Sequence, residues 1–149
     1  MRRVAWVGLA AVVLLSGCSQ GQPAVGTCVS WADLSDPQDA YDAAEVVVIG
    51  TVEPASTTAP MFGVDAAVHD VAVVEVLKGD PPPREIQVVS TPVTCMGDEV
   101  YPDGDPLDVD GDVIIFIATG DADGAWNLIS PSDAVLPVPA DGTTPFETE

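Results

Sequence analysis

Apolar residues in this chain gather in short runs. Segments 46–52, 68–77, 85–90, 113–119 and 126–129 are rich in β-branched or aromatic residues, and Gly, Pro, Asp, Ser or Ala fall between them. Short runs of this kind between turn-forming residues predict strands, five in all. The separators carry turn chemistry. Segment 54–63 is a Ser/Thr/Ala/Pro loop, Lys78-Gly79-Asp80 with three following prolines is a rigid reversal, and Asp121-Ala122-Asp123-Gly124 suits a hairpin. An antiparallel meander is the simplest product. In 68–77 the alternating sets Ala72, Val74, Val76 and Val73, Glu75, Leu77 are both partly apolar, as expected where a sheet curls into a barrel. Ahead of the first strand, Asp36 and Pro37 open a short predicted helix to about residue 44. Asp36 can cap free N–H groups, and Pro37 suits the first turn.

The apolar run at 4–15 is of another kind. It follows Arg2 and Arg3 and leads into Leu15-Ser16-Gly17-Cys18. As a helix, about 12 residues cover roughly 18 Å, short of the ~30 Å hydrocarbon core, which suits a cleavable export signal better than a permanent span. Leu15-Ser16-Gly17-Cys18 resembles the lipobox of bacterial lipoproteins. The resemblance implies that 1–17 is a signal peptide, that Cys18 is lipidated and becomes the first mature residue, and that the protein sits on the extracytoplasmic face of the cell membrane. Two or more acyl chains on one residue give stable anchoring. Residues 18–27 are then a polar, Gly/Pro-containing tether reaching at most about 30 Å. With Cys18 assigned to lipid, Cys28 and Cys95 remain as an even pair in an oxidising compartment, and a disulfide is expected. Closing so long a loop is worth about 4 kcal/mol in the chain-entropy model.

A second resemblance covers residues 28–131. The runs Ala44-Glu45-Val46-Val47-Val48-Ile49-Gly50-Thr51-Val52 and Val74-Glu75-Val76-Leu77-Lys78-Gly79-Asp80, then Cys95, then Leu107 and Gly111-Asp112-Val113-Ile114-Ile115-Phe116, are similar to the OB-fold proteins related to tissue inhibitors of metalloproteinases and netrin modules. The resemblance implies an all-β, five-stranded Greek-key OB-fold-like barrel with a short flanking N-terminal helix. It also implies a bridge from a cysteine before the first strand to one beyond the third, matching Cys28 and Cys95. Protease inhibition does not carry over. Those inhibitors present a free amino-terminal cysteine to the protease zinc, whereas here Cys18 is assigned to lipid and Cys28 follows a tether. Residues 132–149 read as an acidic, Pro-rich tail.

Charge narrows the partners. The 149 residues suffice for one compact domain, and the net charge is −20, with 24 acidic residues against four basic ones. Outside the leader only Lys78 and Arg84 are basic, so phosphate backbones are repelled and nucleic-acid binding is excluded. His69 is the only histidine, and its neighbour Asp70 points to the opposite face of a strand, so the two cannot form the histidine–carboxylate half of a triad. A surface or edge position is expected for it. No exported serine lies in a nucleophile elbow. The few aromatic residues are expected in the core, with Trp31 near the Cys28 bridge. Asp103, Asp105, Asp108, Asp110 and Asp112 form the densest acidic cluster, where Ca²⁺ is the one cofactor the residue types admit. They miss the EF-hand spacing, and a solvated acidic loop is the plainer reading. The chain therefore reads as a non-catalytic interaction domain, anchored through lipid, whose partner is an envelope protein or a small ligand. The rival readings are a calcium-binding structural surface protein and a small envelope enzyme.

Overall fold

A computed structural model describes residues 28–80, 83–96, 99–120 and 125–148. The leader, Cys18, the tether and the turn at 121–124 lie outside the described residues. No helix among those described is long and apolar enough to cross a membrane.

Helix α1 (Pro37–Ala43) starts as its sequence directs. Asp36 accepts from the Gln38 amide at 2.9 Å, Pro37 occupies the first turn, and Asp39 faces the positive end of the helix dipole. No basic residue lies in its last turn. Lys78 supplies that charge from elsewhere, donating to the carbonyls of Tyr41 and Asp42 at 2.6 and 3.1 Å. The helix buries Ala40 and Tyr41 against the sheet.

Seven strands follow: β1 (Val46–Val52), β2 (Thr57–Met61), β3 (Val64–Lys78), β4 (Glu85–Val89), β5 (Asp112–Thr119), β6 (Trp126–Leu128) and β7 (Val135–Pro137). The five expected strands are all present. Their arrangement is not a meander. β1 lies between β3 and β5, β4 meets β6 in parallel, and β6 returns to β5. The circuit β1-β3-β4-β6-β5-β1 closes a five-stranded Greek-key barrel of OB-fold type, with α1 beside it. Closure removes the open edges that a meander would leave at its first and last strands.

Position in that circuit explains composition. β1 is paired on both edges and nearly every residue of it is buried, which suits the unbroken Val46-Val47-Val48-Ile49 run. Gly50 sits at a register shift against β3, and a Cβ there would meet the Val71 side chain at 2.7 Å and the Ala72 carbonyl at 3.0 Å, so the sharp bend of the barrel needs glycine. β3 is 15 residues long because it serves three partners, β2 along Val64–Val68, β4 along Val68–Ala72 and β1 along Val71–Lys78.

Two elements lie where a loop and a tail were expected. β2 forms a hairpin with β3 through Phe62 and Gly63, whose φ values of 51° and 89° match a two-residue type I′ turn. Phe62 is strained there as a non-glycine residue, and Trp31 packs edge-on against its ring with centroids 5.8 Å apart. The domain also does not end at 131. β7 pairs with β5, and Phe146 stacks on Tyr41 at 4.7 Å and meets Phe116 edge-on at 5.6 Å. Pro and Asp dominate the composition of 132–149, but Val135, Leu136 and Phe146 supply the apolar contacts that decide its placement. The core is therefore built of β1 and β5 with Leu34, Tyr41, Ile86, Val88, Leu107, Leu128 and Phe146 around them.

Candidate functional site

Cys28 and Cys95 are joined in a disulfide with Cα atoms 5.5 Å apart, which ties the segment before α1 to the β4–β5 connection. Beside it the Val29 amide donates to the Thr94 hydroxyl at 2.8 Å. Cys95 has φ 65°, a conformation unusual for a non-glycine residue. Trp31, three residues on from Cys28, is half-buried, and its enclosed ring N–H has no hydrogen-bond partner among the described residues.

The most connected group of polar side chains is one the sequence reading assigned to the surface. His69 on β3 is 1% exposed. Its Nδ1 lies 2.9 Å from the Glu53 carbonyl and its Nε2 3.0 Å from Oδ2 of Asp105. A carbonyl can only accept, so Nδ1 carries a proton. Asp105 already accepts twice on its other oxygen, from the Ser90 hydroxyl at 2.5 Å and the Leu107 amide at 3.0 Å. A carboxylate engaged in this way is ionised, and Nε2 must then donate as well. Below the raised pKa of His69 the two form an imidazolium–carboxylate pair, with His69 buried and Asp105 half-buried.

Both titrations respond to this geometry. Burial by itself pulls the His69 pKa down, but the hydrogen bonds to Asp105 and the Glu53 carbonyl, with the nearby charges of Asp105 and Asp108, leave it raised above its ordinary value. Burial pushes Asp105 up, yet donation from His69, Ser90 and the Leu107 amide holds it below the usual carboxylate range. Tyr101 completes the group. Its hydroxyl accepts from the Ala67 amide at 2.9 Å and donates to the Ser90 carbonyl at 2.7 Å, and burial pushes its pKa up to about 12.

The order of contacts decides what this group can do. A nucleophilic serine needs a histidine beside it as base, with the carboxylate behind the histidine. Here the carboxylate lies between Ser90 and His69, so the imidazole does not face the Ser90 hydroxyl, and Ser90 is fully buried. The group instead fastens the β4–β5 connection to the barrel wall at Asp105, while Leu107 seats in the core at 1% exposure.

The five aspartates do not converge. Asp105 turns inward, Asp112 begins β5 and accepts from the Thr51 hydroxyl at 2.6 Å, and Asp103, Asp108 and Asp110 are exposed. Among the described residues no group of three His, Cys, Asp or Glu side chains is placed to hold a metal ion. Among the described residues the loop is neither a converging set of ligands nor wholly solvated. A calcium site lacks converging ligands, and a wholly solvated loop is ruled out by Asp105 and Leu107. A signal was present in the sequence, since a leucine among aspartates, next to Pro106, marks where the loop must turn in.

The fastened loop forms one wall of a surface groove. Pro106, Val109 and Asp110 face Val135, Leu136 and Pro137 across a hollow of about 410 Å³. A second hollow of about 240 Å³, reaching Tyr101 and Asp103, shares Pro106, Val109 and Ser132 with it.

A scan against models of protein families finds no match for this chain, and searches of curated proteins and of solved structures find none either.

Proposed function

We propose that the protein is a lipid-anchored, extracytoplasmic interaction domain without catalytic activity, held at the cell membrane through Cys18 and engaging an envelope partner through its barrel surface. The observation that carries this reading is the Cys28–Cys95 bridge. Disulfides persist in oxidising compartments, and of the three cysteines this bridge leaves only Cys18 outside it, within a lipobox-like sequence. The buried Ser90–Asp105–His69 order supports the non-catalytic part, since it fastens a loop and presents no nucleophile.

Detergent phase partition and mass spectrometry of protein from a lipoprotein-processing bacterial host test the anchor. The wild-type chain is expected in the detergent phase, with a diacylated or triacylated Cys18 as its first residue. Cys18→Ser is expected to move to the aqueous phase. A mature form beginning elsewhere, or equal partition of the two chains, refutes the anchor. Cross-linked capture from intact envelopes tests the role, which fails if the wild-type lipoprotein recovers no partner above background.

A further inference from the structure

We propose that the groove between β7 and the Pro106–Asp110 wall receives an extended, basic peptide segment of the partner, carrying aliphatic or prolyl side chains between its lysines or arginines. This deepens the interaction-domain reading and rests on it.

Three observations meet at this groove. Its walls are apolar, with Pro106 and Val109 on one side and Val135, Leu136 and Pro137 on the other, and Val109 is among the few large apolar side chains left exposed. One edge of β7 has no strand beside it among the described residues. The Ala134 carbonyl accepts from the Phe116 amide, and in an antiparallel ladder the next residue turns its groups the other way, so the N–H and C=O of Val135 face away from β5. An extended peptide meets such an edge with main-chain hydrogen bonds and fits alternate side chains into the apolar lining.

Charge selects among occupants. Asp110 lines the main hollow and Asp103 its extension, both exposed. Neither of the described basic residues, Lys78 or Arg84, lines either hollow, and the Lys78 ammonium is held by the α1 carbonyls. A second copy of this chain, at −20, is repelled, as are acidic peptides and anionic headgroups. A basic segment gains from the same field, which steers its approach.

The test uses the purified lipoprotein in mild detergent and fluorescein-labelled Lys-Val-Lys-Val-Pro-Lys, read by fluorescence anisotropy. Two controls accompany it: Glu-Val-Glu-Val-Pro-Glu removes the charge match, and Lys-Ser-Lys-Ser-Gly-Lys removes the apolar side chains. Saturable binding of the first peptide is expected, weakening as salt rises, with both controls about tenfold weaker or worse. Val109→Arg and Asp110→Lys, both at exposed positions, are expected to weaken it about tenfold with unchanged circular dichroism. The proposal is overturned by absence of saturable binding, by equal binding of the two basic peptides, or by variants that bind like wild type. It is also overturned by wild-type self-association that Val109→Arg abolishes, which would make the occupant a second copy. Envelope capture separates the two levels. If Val109→Arg recovers the same partner as wild type, the groove is wrong and the interaction role stands; if wild type recovers none, the role itself falls.

Discussion

The proton count on His69 is set by two acceptors, the Glu53 carbonyl and the Asp105 carboxylate, and this gives the fold a pH dependence with a definite sign. A raised histidine pKa contributes stability that is complete below the unfolded value near 6.5 and is lost as pH rises through the folded value. A lowered aspartate pKa contributes stability that is complete above the unfolded value near 3.9 and is lost as pH falls through the folded one. The pair thus stabilises most between about pH 4 and pH 6.5. In urea titrations His69→Gln is expected to lower stability clearly at pH 5.5 and by less at pH 8.5. An equal deficit at both values would mean that the imidazole is neutral in the native state. This pairing was not legible in the sequence. Strand alternation separates His69 from Asp70 correctly, but the real partner is 36 positions away, and only tertiary folding brings them together. Position 69 shares its parity with Val71, which is fully buried, and that sets the face.

Elements were legible in proportion to how much apolar surface they bury. β1, β3, β4, β5 and β6 announce themselves because each lies in the barrel circuit and needs β-branched side chains. β2 is an edge strand, mostly exposed and containing Pro60, so its composition is that of a loop. β7 is no longer than β6, but it lies off the barrel circuit, ends in Pro137 and sits in a stretch rich in Pro and Asp, so its composition reads as a tail. The segment around it nevertheless closes the core. Phe146 is 7% exposed between Tyr41 and Phe116, and Phe146→Ala is expected to cost about 3 to 5 kcal/mol in denaturant unfolding. A cost under about 1 kcal/mol, the range of surface substitutions, would restore the reading of 132–149 as a tail.

At the scale of the whole molecule, a barrel with net charge −20 is held against its own repulsion, and the disulfide counts for more than it would in a neutral domain. Both cysteines are at the surface, so reductant reaches them without unfolding. Reduction is expected to lower unfolding free energy by up to about 4 kcal/mol, and added salt to recover part of the loss by screening. Unchanged unfolding after complete reduction would show that the β4–β5 connection is held by Asp105 and Leu107 alone. Charge was fully legible from composition; where the groove lies among those charges was not, because it depends on β7 and on the inward turn at Asp105.

The position of that bridge also sets a mechanical route. Tension applied to the chain ahead of Cys28 passes through the sulfurs to Cys95 and on toward β5, so α1 and strands β1 to β4, all inside the closed loop, are shielded from it. While the bridge is intact, a tug of that kind strains the stretch fastened by Asp105 and leaves the barrel's first strand at rest.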